Sequence, residues 1–416
     1  MSGRRRVLLA ASKLGYQTRA FDEAAARLGI ELMLATDRCH MLDDPWRDRA
    51  IAVKFDQQLE ASAARVEPRF DAVLAVGDRP AELASHVAAR QGLAFHPPSA
   101  VHAARDKFLA RQRFAEAGLL TPRFFRVPLE RADDALAQAE FPCVLKPLGL
   151  SASRGVIRAN DPAEFTAAFA RIAKLLDQPE IRRLQDPADR FIQIEEYIPG
   201  REFAIEGLAR DGRLQALAVF DKPDALDGPY FAETIYVTPS REPDGLQQAL
   251  VDTTQRAIDA LGFTDGPVHA ELRYNERGAW PLEIAARPIG GLCARALRFG
   301  PGGAIPLEEL ILRHSLGQDT SGARLTDAAS GVMMIPIERR GIFQGVEGVE
   351  EARSMPLNAG VEITAKEGQL FEPLPEGASY LGFIFARGET AEDVERVLRN
   401  SHAHLSFRFA QALEVV

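Results

Sequence analysis

The first hundred residues alternate short apolar runs with amphipathic stretches. Val7–Ala11, Glu31–Ala35, Ile51–Val53 and Ala72–Val76 are strand-like, and Thr18–Leu28 has helical spacing. Apolar strands alternating with helices predict a parallel sheet covered on both faces, so residues 1–98 are expected to form a Rossmann-like domain. His96-Pro97-Pro98 ends it, and a helix over about Arg105–Ala117 follows, closed by Gly118 and Pro122. The texture then changes. Phe141–Pro147 and Val156–Ile157 predict short strands around a small-residue loop, Leu148–Gly155, and Pro162–Leu176 predicts a helix. Phe191–Gly200 is a strand ending in a Pro-Gly breaker, Glu202–Leu208 alternates as another, and Gln247–Leu261 is helical. From about residue 321 an α+β pattern appears: strands Gly331–Ile335, Val361–Ala365 and Ser379–Ala386, and helices at Val349–Ser354 and after Gly388. Thr390-Ala-Glu-Asp393 resembles a capping box for the last helix.

Between the helix at 247–261 and this final region lies Val268-His-Ala-Glu-Leu-Arg-Tyr-Asn-Glu-Arg-Gly-Ala-Trp-Pro-Leu-Glu-Ile-Ala-Ala-Arg287, which reads as a β-hairpin. A three-residue Glu276-Arg277-Gly278 loop, with Gly278 in the left-handed position, would pair Asn275 with Ala279 and hence Glu271 with Glu283. One face then carries Val268, Ala270, Leu272, Leu282, Ile284 and Ala286; the other carries His269, Glu271, Arg273, Glu283 and Arg287. Two carboxylates facing each other at roughly 5 Å repel by about 3 kcal/mol at an effective dielectric near 20. A hard divalent cation reverses that penalty, and magnesium is commonly held by one or two carboxylates plus phosphates and waters. A solvated polar face with screened charges is the bland alternative.

Composition narrows the picture further. A chain of 416 residues exceeds one compact core and suggests two to four domains. Fifty basic against 59 acidic residues leave a net charge of −9 and no basic footprint for nucleic acid or an anionic membrane. Cys39, Cys143 and Cys293 are too few and too scattered for a disulfide framework or a thiolate metal site, and reduced cytosolic thiols are expected. The basic start before Val7–Ala11 imitates a signal peptide, but the apolar run is too short for one, and no stretch approaches a membrane span. A cytoplasmic protein is expected. The first strand is followed by Lys13-Leu14-Gly15-Tyr16 rather than a G-x-G-x-x-G turn, which argues against dinucleotide binding there.

Nucleotide chemistry needs cations on phosphates, a backbone cradle, an edge that reads the base, and metal ligands. Lys107 opens the helix after the first domain, and Lys146 ends a strand just before the loop Ser151-Ala-Ser-Arg-Gly155, whose amides and the Ser151 and Ser153 hydroxyls could wrap phosphates. The strand end Glu195–Ile198 could pair its backbone with adenine, and Glu202 could accept from ribose hydroxyls. Each feature alone reads as ordinary surface.

In this order, however, the set resembles the ATP-grasp superfamily. The resemblance is carried by Asp106-Lys107-Phe108, by Val144-Leu-Lys-Pro147 with its loop, by Ile194-Glu-Glu-Tyr-Ile198 with Gly200-Arg-Glu-Phe203, and by Glu271 to Glu283 with Arg287; it covers about residues 100–315. It implies Lys107 and Lys146 on phosphates, Glu195 and the Ile198 backbone on adenine, Glu202 on ribose, Glu271 and Glu283 on Mg2+ (Mn2+ as a substitute), and Arg287 on the charge developing at a phosphoryl group or acyl phosphate. The implied fold is α/β and α+β: a Rossmann-like N-terminal domain (1–98), a central ATP-grasp fold of two α+β lobes (99–320, lid about 122–198) and a small α+β C-terminal ligase domain (321–416).

One position departs from the superfamily pattern Glu-x-Asn: Glu283-Ile284-Ala285 puts alanine where a metal-binding asparagine is usual, opposite His269, which leaves two alternatives, an imidazole or a water in the gap or weaker metal binding. Within the superfamily, Glu283-Ile-Ala-Ala-Arg-Pro-Ile-Gly-Gly291 and Tyr380-Leu-Gly-Phe383 resemble the L-amino-acid ligase and carnosine-synthase-like branch. That resemblance implies an ATP-dependent carboxylate–amine ligase acting through an acyl phosphate on small-molecule carboxylate and amine substrates, amino acids being expected. Gly290 and Gly291 would let backbone approach the activated carboxylate, and Glu233 resembles the acid that meets a substrate amino group. A carboxylase or formyl-transfer ligase of nucleotide metabolism, a kinase, and a nucleotide-binding regulator that has lost turnover stand as alternatives. Dimers are common in the superfamily, so a homodimer is left open.

Overall fold

The computed structural model describes residues 4–12, 15–37, 49–56 and 58–412. Lys13, Leu14 and Cys39 lie outside the described residues. Strands Arg6–Ala11, Glu31–Thr36, Ala50–Ala52 and Ala72–Val76 form a parallel sheet in the spatial order third, second, first, fourth. Val7 to Ala11 are completely buried because helices cover both faces. The helix expected at 105–117 is Lys107–Glu116, and an unpredicted helix, Pro98–Arg105, precedes it with a break at Asp106. Asp106 takes an extended backbone, and its carboxylate accepts the amides of Phe108 and Leu109 at 2.9 and 3.0 Å. A capping acid outweighs continued helical spacing here, and it leaves Lys107 as the first residue of the second helix.

A second layer is antiparallel. Phe124–Pro128, Phe191–Glu196, Cys143–Pro147 and Ile157–Ala159 lie side by side in that order, beneath helix Pro162–Leu176. The helix buries Phe165, Ala168, Phe169, Ile172, Leu175 and Leu176, the three-and-four spacing of one apolar stripe, and Asp161 caps its start. This layer occupies the segment expected to form the lid.

The third sheet has eight strands: Gly278–Ala285, Gly266–Asn275, Arg201–Arg210, Arg213–Asp221, Ile235–Thr238, Ala329–Ile335, Gly382–Gly388 and Asn358–Ile363, in spatial order. Hydrogen bonding therefore crosses residue 320, since Ile235–Thr238 pairs antiparallel with Ala329–Ile335. The C-terminal segment extends the central sheet and adds a separate three-stranded sheet of Gly341–Glu347, Leu370–Phe371 and Ser406–Ala410. Thr390 caps the last helix, accepting the Asp393 amide at 3.1 Å. Cys143 and Cys293 are buried free thiols. Among the described residues no helix is long and apolar enough to cross a membrane.

Candidate active site

The hairpin pairs Glu271 with Glu283, but by another route than expected. Asn275 pairs with Gly278 across a two-residue Glu276-Arg277 turn, not with Ala279, and Gly278 has φ +118°. A bulge between Glu271 and Leu272 then absorbs Leu282 and restores the carboxylate pairing. The bulge also moves Leu282 off the core face, so that it lines the cleft. The expected placement of Leu282 is corrected accordingly.

Glu271, Glu283 and Arg287 open into a cleft of about 710 Å3 between the three layers. Lys107, Lys146, Ser151, Ser153, Glu195, Ile198, Glu202, Glu233, Gly290 and Gly291 line the same cleft. The polar residues singled out in sequence thus converge from five segments, and most of them already hold partners.

At the lid end, Lys146 Nζ donates to Glu195 at 2.6 Å, and Arg111 grips the same carboxylate with Nε at 2.8 Å and Nη2 at 3.2 Å. Burial would raise the Glu195 pKa, but Arg111 and Lys146 outweigh it and hold the group down at about 2. Burial lowers the Lys146 pKa, against the pull of Glu195. The Glu195 side chain is thereby committed to positioning Lys146. Lys107 Nζ donates to the Leu150 carbonyl at 2.6 Å, at the edge of the small-residue loop. In that loop Ala152 and Ser153 are left-handed (φ 57° and 55°). The loop is tied to the C-terminal segment: Gly155 N–H donates to Pro375 O at 2.8 Å and Arg154 Nε to Glu376 O at 2.7 Å, while Arg171 of the lid helix clasps the Glu376 carboxylate.

At the opposite wall Arg273, 3% exposed, donates to Glu202 at 3.1 Å, to Ile198 O at 2.7 Å and to Leu226 O. Glu202 and Ile198 are accordingly organised by Arg273. Oxygens of Glu202, Glu233 and Glu271 lie within 4.8 Å of one another, and Lys222 Nζ reaches them at 2.8, 2.5 and 3.5 Å respectively. Burial would lower the Lys222 pKa, yet the three acids drive it well above the ordinary range. Glu233 also accepts from Tyr236 Oη at 2.7 Å; burial, then Glu271, push its pKa up to about 7. Glu271 is held low despite burial by Lys222 and His269.

His269 Nδ1 sits 3.0 Å from Glu206 and Nε2 3.5 Å from Glu271. Burial disfavours its charged form, but those two carboxylates raise the pKa to about 9. The ring is committed to acids on both nitrogens and offers no lone pair to the space beside Ala285, to which it is paired. Glu206 additionally accepts the Ile289 amide. Arg287 Nε donates to Asp78 at 2.6 Å, from the start of an N-terminal-domain helix, and its Nη2 lies 3.9 Å from Glu283. Gly291 has φ +64°, and a Cβ there would meet the Phe383 ring at 2.9 Å. Tyr16, Phe231, Tyr236, Met334, Tyr380 and Phe383 make this end of the cleft largely apolar.

Sequence reasoning missed Arg111, Lys222 and Asp78. Their partners are 84, 11 to 49 and 209 residues away, and no local motif marks them.

The donor set at the hairpin suits magnesium. Two carboxylates face each other in a roomy cleft, leaving coordination positions for phosphate oxygens and water.

Comparison with known proteins agrees with this geometry. Residues 139–296 match the ATP-grasp domain family, and residues 333–410 match L-amino acid ligase C-terminal domain 2. The chain contains an ATP-grasp domain. The structure of an L-amino acid ligase from Bacillus licheniformis superposes with a TM-score of 0.83 over 99% of this chain and 100% of that one, at 24% identity. Dapdiamide A synthase of Enterobacter agglomerans is 26% identical over 57% of this chain and 55% of its own length. A D-alanine–D-alanine ligase of Pseudomonas entomophila is 30% identical over 44% and 55%. The matches to curated relatives thus span only about half of those proteins' lengths.

Proposed function

We propose that this ATP-grasp protein is an ATP-dependent carboxylate–amine ligase, with amino acids as substrates, forming an amide bond and releasing ADP and phosphate. The observation that carries the reading is the order of groups along one cleft: lysines under a small-residue loop, then the opposed Glu271 and Glu283 with Arg287, then an apolar end holding Glu233. Lys107 and Lys146 bind phosphate oxygens, with Lys146 aimed by Glu195 and Arg111. Glu271 and Glu283 would hold magnesium, which neutralises charge on the transferring phosphoryl group.

A substrate carboxylate oxygen attacks the γ-phosphorus and ADP departs, giving an acyl phosphate. The amine nitrogen then attacks the acyl carbon, the C–O bond to phosphate breaks, and the departing phosphate takes the proton that nitrogen sheds. Arg287, fixed by Asp78, stabilises the negative charge that builds on the acyl group and its phosphate. The tie of the 148–155 loop to Pro375 and Glu376 shields that intermediate from water. Glu233 meets the substrate amino group, and Gly290 and Gly291 admit the carboxylate. A soluble cytoplasmic setting belongs to the same proposal.

Phosphate release from MgATP across paired amino acids and amines, with mass spectrometry of the products, tests this. A condensed product with ADP is expected. Release dependent on bicarbonate or formate would point to the carboxylase or formyl-transfer reading. ATP binding without turnover under any pair would favour the regulator, for which Ala285 is the motivation. Glu283→Ala is expected to keep the fold and lose turnover by more than about a hundredfold, the scale of losing one electrostatic catalytic group; full activity in a metal-titrated variant would remove Glu283 from the metal site.

A further inference from the structure

A second cavity, of about 340 Å3, lies outside the cleft on the C-terminal extension of the central sheet. Arg295, Arg298, Arg353 and Arg387 line it, against one acid, Glu362. Such a concentration of one sign is unusual in a chain whose net charge is −9. Like charges gathered around a concavity destabilise the empty protein and are relieved by an anion.

The four arginines are not equally engaged. Arg295 pairs with Glu362 at 3.3 Å and lies over the Phe385 ring; Arg353 pairs with Glu350 at 2.6 Å and donates to Val361 O. Arg298 and Arg387, both half-buried, form no ion pair among the described residues. Burial, then the neighbouring Arg298 charge, lower the Arg387 pKa, and Glu308 feels Arg298 without pairing to it. Gly360, beside the Phe385 ring, adds no side chain to the space between the guanidiniums.

We propose that this groove is a binding site for a small phosphate ester, held by the guanidinium forks of Arg298 and Arg387 with Arg295 and Arg353 at the rim. Guanidinium forks match the several acceptor oxygens of a phosphate and favour it over a single carboxylate. The volume is that of a small-molecule pocket rather than of a bare ion. Phe385 is the one aromatic side chain in the lining and Arg295 already lies over it, so no free face remains to stack a nucleobase. The segment that carries the site also reaches the cleft: Pro288 to Gly291 and Cys293 line the cleft, while Arg295, Ala296 and Arg298 line the groove.

Calorimetric titration of the full chain with inorganic pyrophosphate tests the site. The wild type, Arg298→Ala/Arg387→Ala and Lys107→Ala proteins are compared, the last reporting any binding in the cleft. One binding event is expected to weaken at least about tenfold in the arginine double variant and to persist in Lys107→Ala. Ribose 5-phosphate is expected to displace pyrophosphate from it more effectively than ADP. Unaltered binding in the arginine variant, or no binding to the wild type at millimolar pyrophosphate, overturns the site; preferential displacement by ADP overturns the ligand class. Thermal melting of the double variant should stay close to the wild type, because the repulsion removed between the two guanidiniums offsets the lost attraction of Arg298 for Glu308.

Discussion

Lys222 holds three mutually repelling carboxylates together, and its removal exposes what they cost. Lys222→Met keeps the stem but strips the charge. Leaving buried acids without their cation is expected to destabilise the fold by about 3–5 kcal/mol, measured by urea unfolding; a loss under 1 kcal/mol would mean that Arg273 and His269 suffice. Asp189 presents the opposite case, an acid whose two oxygens are buried without a hydrogen bond beside Asp186, Arg79 and Arg105. Burial, then the Asp186 charge, raise its pKa from 3.8 to about 6. The native state therefore binds this proton more tightly than the unfolded chain. Stability from the protonated group is complete below about pH 4 and is lost as pH rises through 6. Asp189→Asn should stabilise the protein at pH 7.5 by ~1 kcal/mol after allowing for partial exposure, and the gain should vanish at pH 4; a gain equal at both pH values would refute the titration.

At the scale of elements, period and punctuation in the sequence located the parallel strands, the lid helix and the carboxylate hairpin. They failed where a single side chain changed the path. Asp106 begins the expected helix but also ends an unread one, Pro98–Arg105, and the bulge at Leu282 replaced a longer turn while keeping Glu271 opposite Glu283. Strands Arg213–Asp221 and Ile235–Thr238 went unread because neither carries a clean alternation of apolar and polar residues, and Lys222 and Glu233 lie between them. Side-chain patterns of this kind report which face is buried but not which distant residue is met there, so Arg111, Asp78 and Arg273 became intelligible only with tertiary pairing. The lid's attachment also belongs to this scale. Because Arg171 and Glu376 are partly exposed, their pair is worth at most about 1 kcal/mol. Glu376→Ala should raise the KM for ATP by about two- to fivefold with little change in kcat, since the Pro375 and Glu376 carbonyl contacts survive. A large fall in kcat would instead place Glu376 in the chemistry.

Across the whole molecule, every major part contributes to one cleft: Asp78 from an N-terminal-domain helix, Lys146 from the second layer, Glu271 and Glu283 from the central sheet, Tyr380 and Phe383 from the C-terminal extension. A fragment ending at residue 320 would leave the Ile235–Thr238 strand with an open edge where Ala329–Ile335 should pair. Such a fragment is expected to be poorly soluble and inactive, and a soluble, ATP-hydrolysing 1–320 fragment would contradict this. That same strand pairing bears on how the protein comes into being. A ribosome completes the set of Lys107, Lys146, Glu271 and Glu283 roughly ninety residues before it delivers Pro375, Glu376, Tyr380 and Phe383. Under the proposed function, a nascent chain would hold most of its nucleotide-binding groups before the contacts that keep water out. Dependence of the central sheet on the late Ala329–Ile335 strand is then expected to delay assembly, so that an unfinished chain spares ATP.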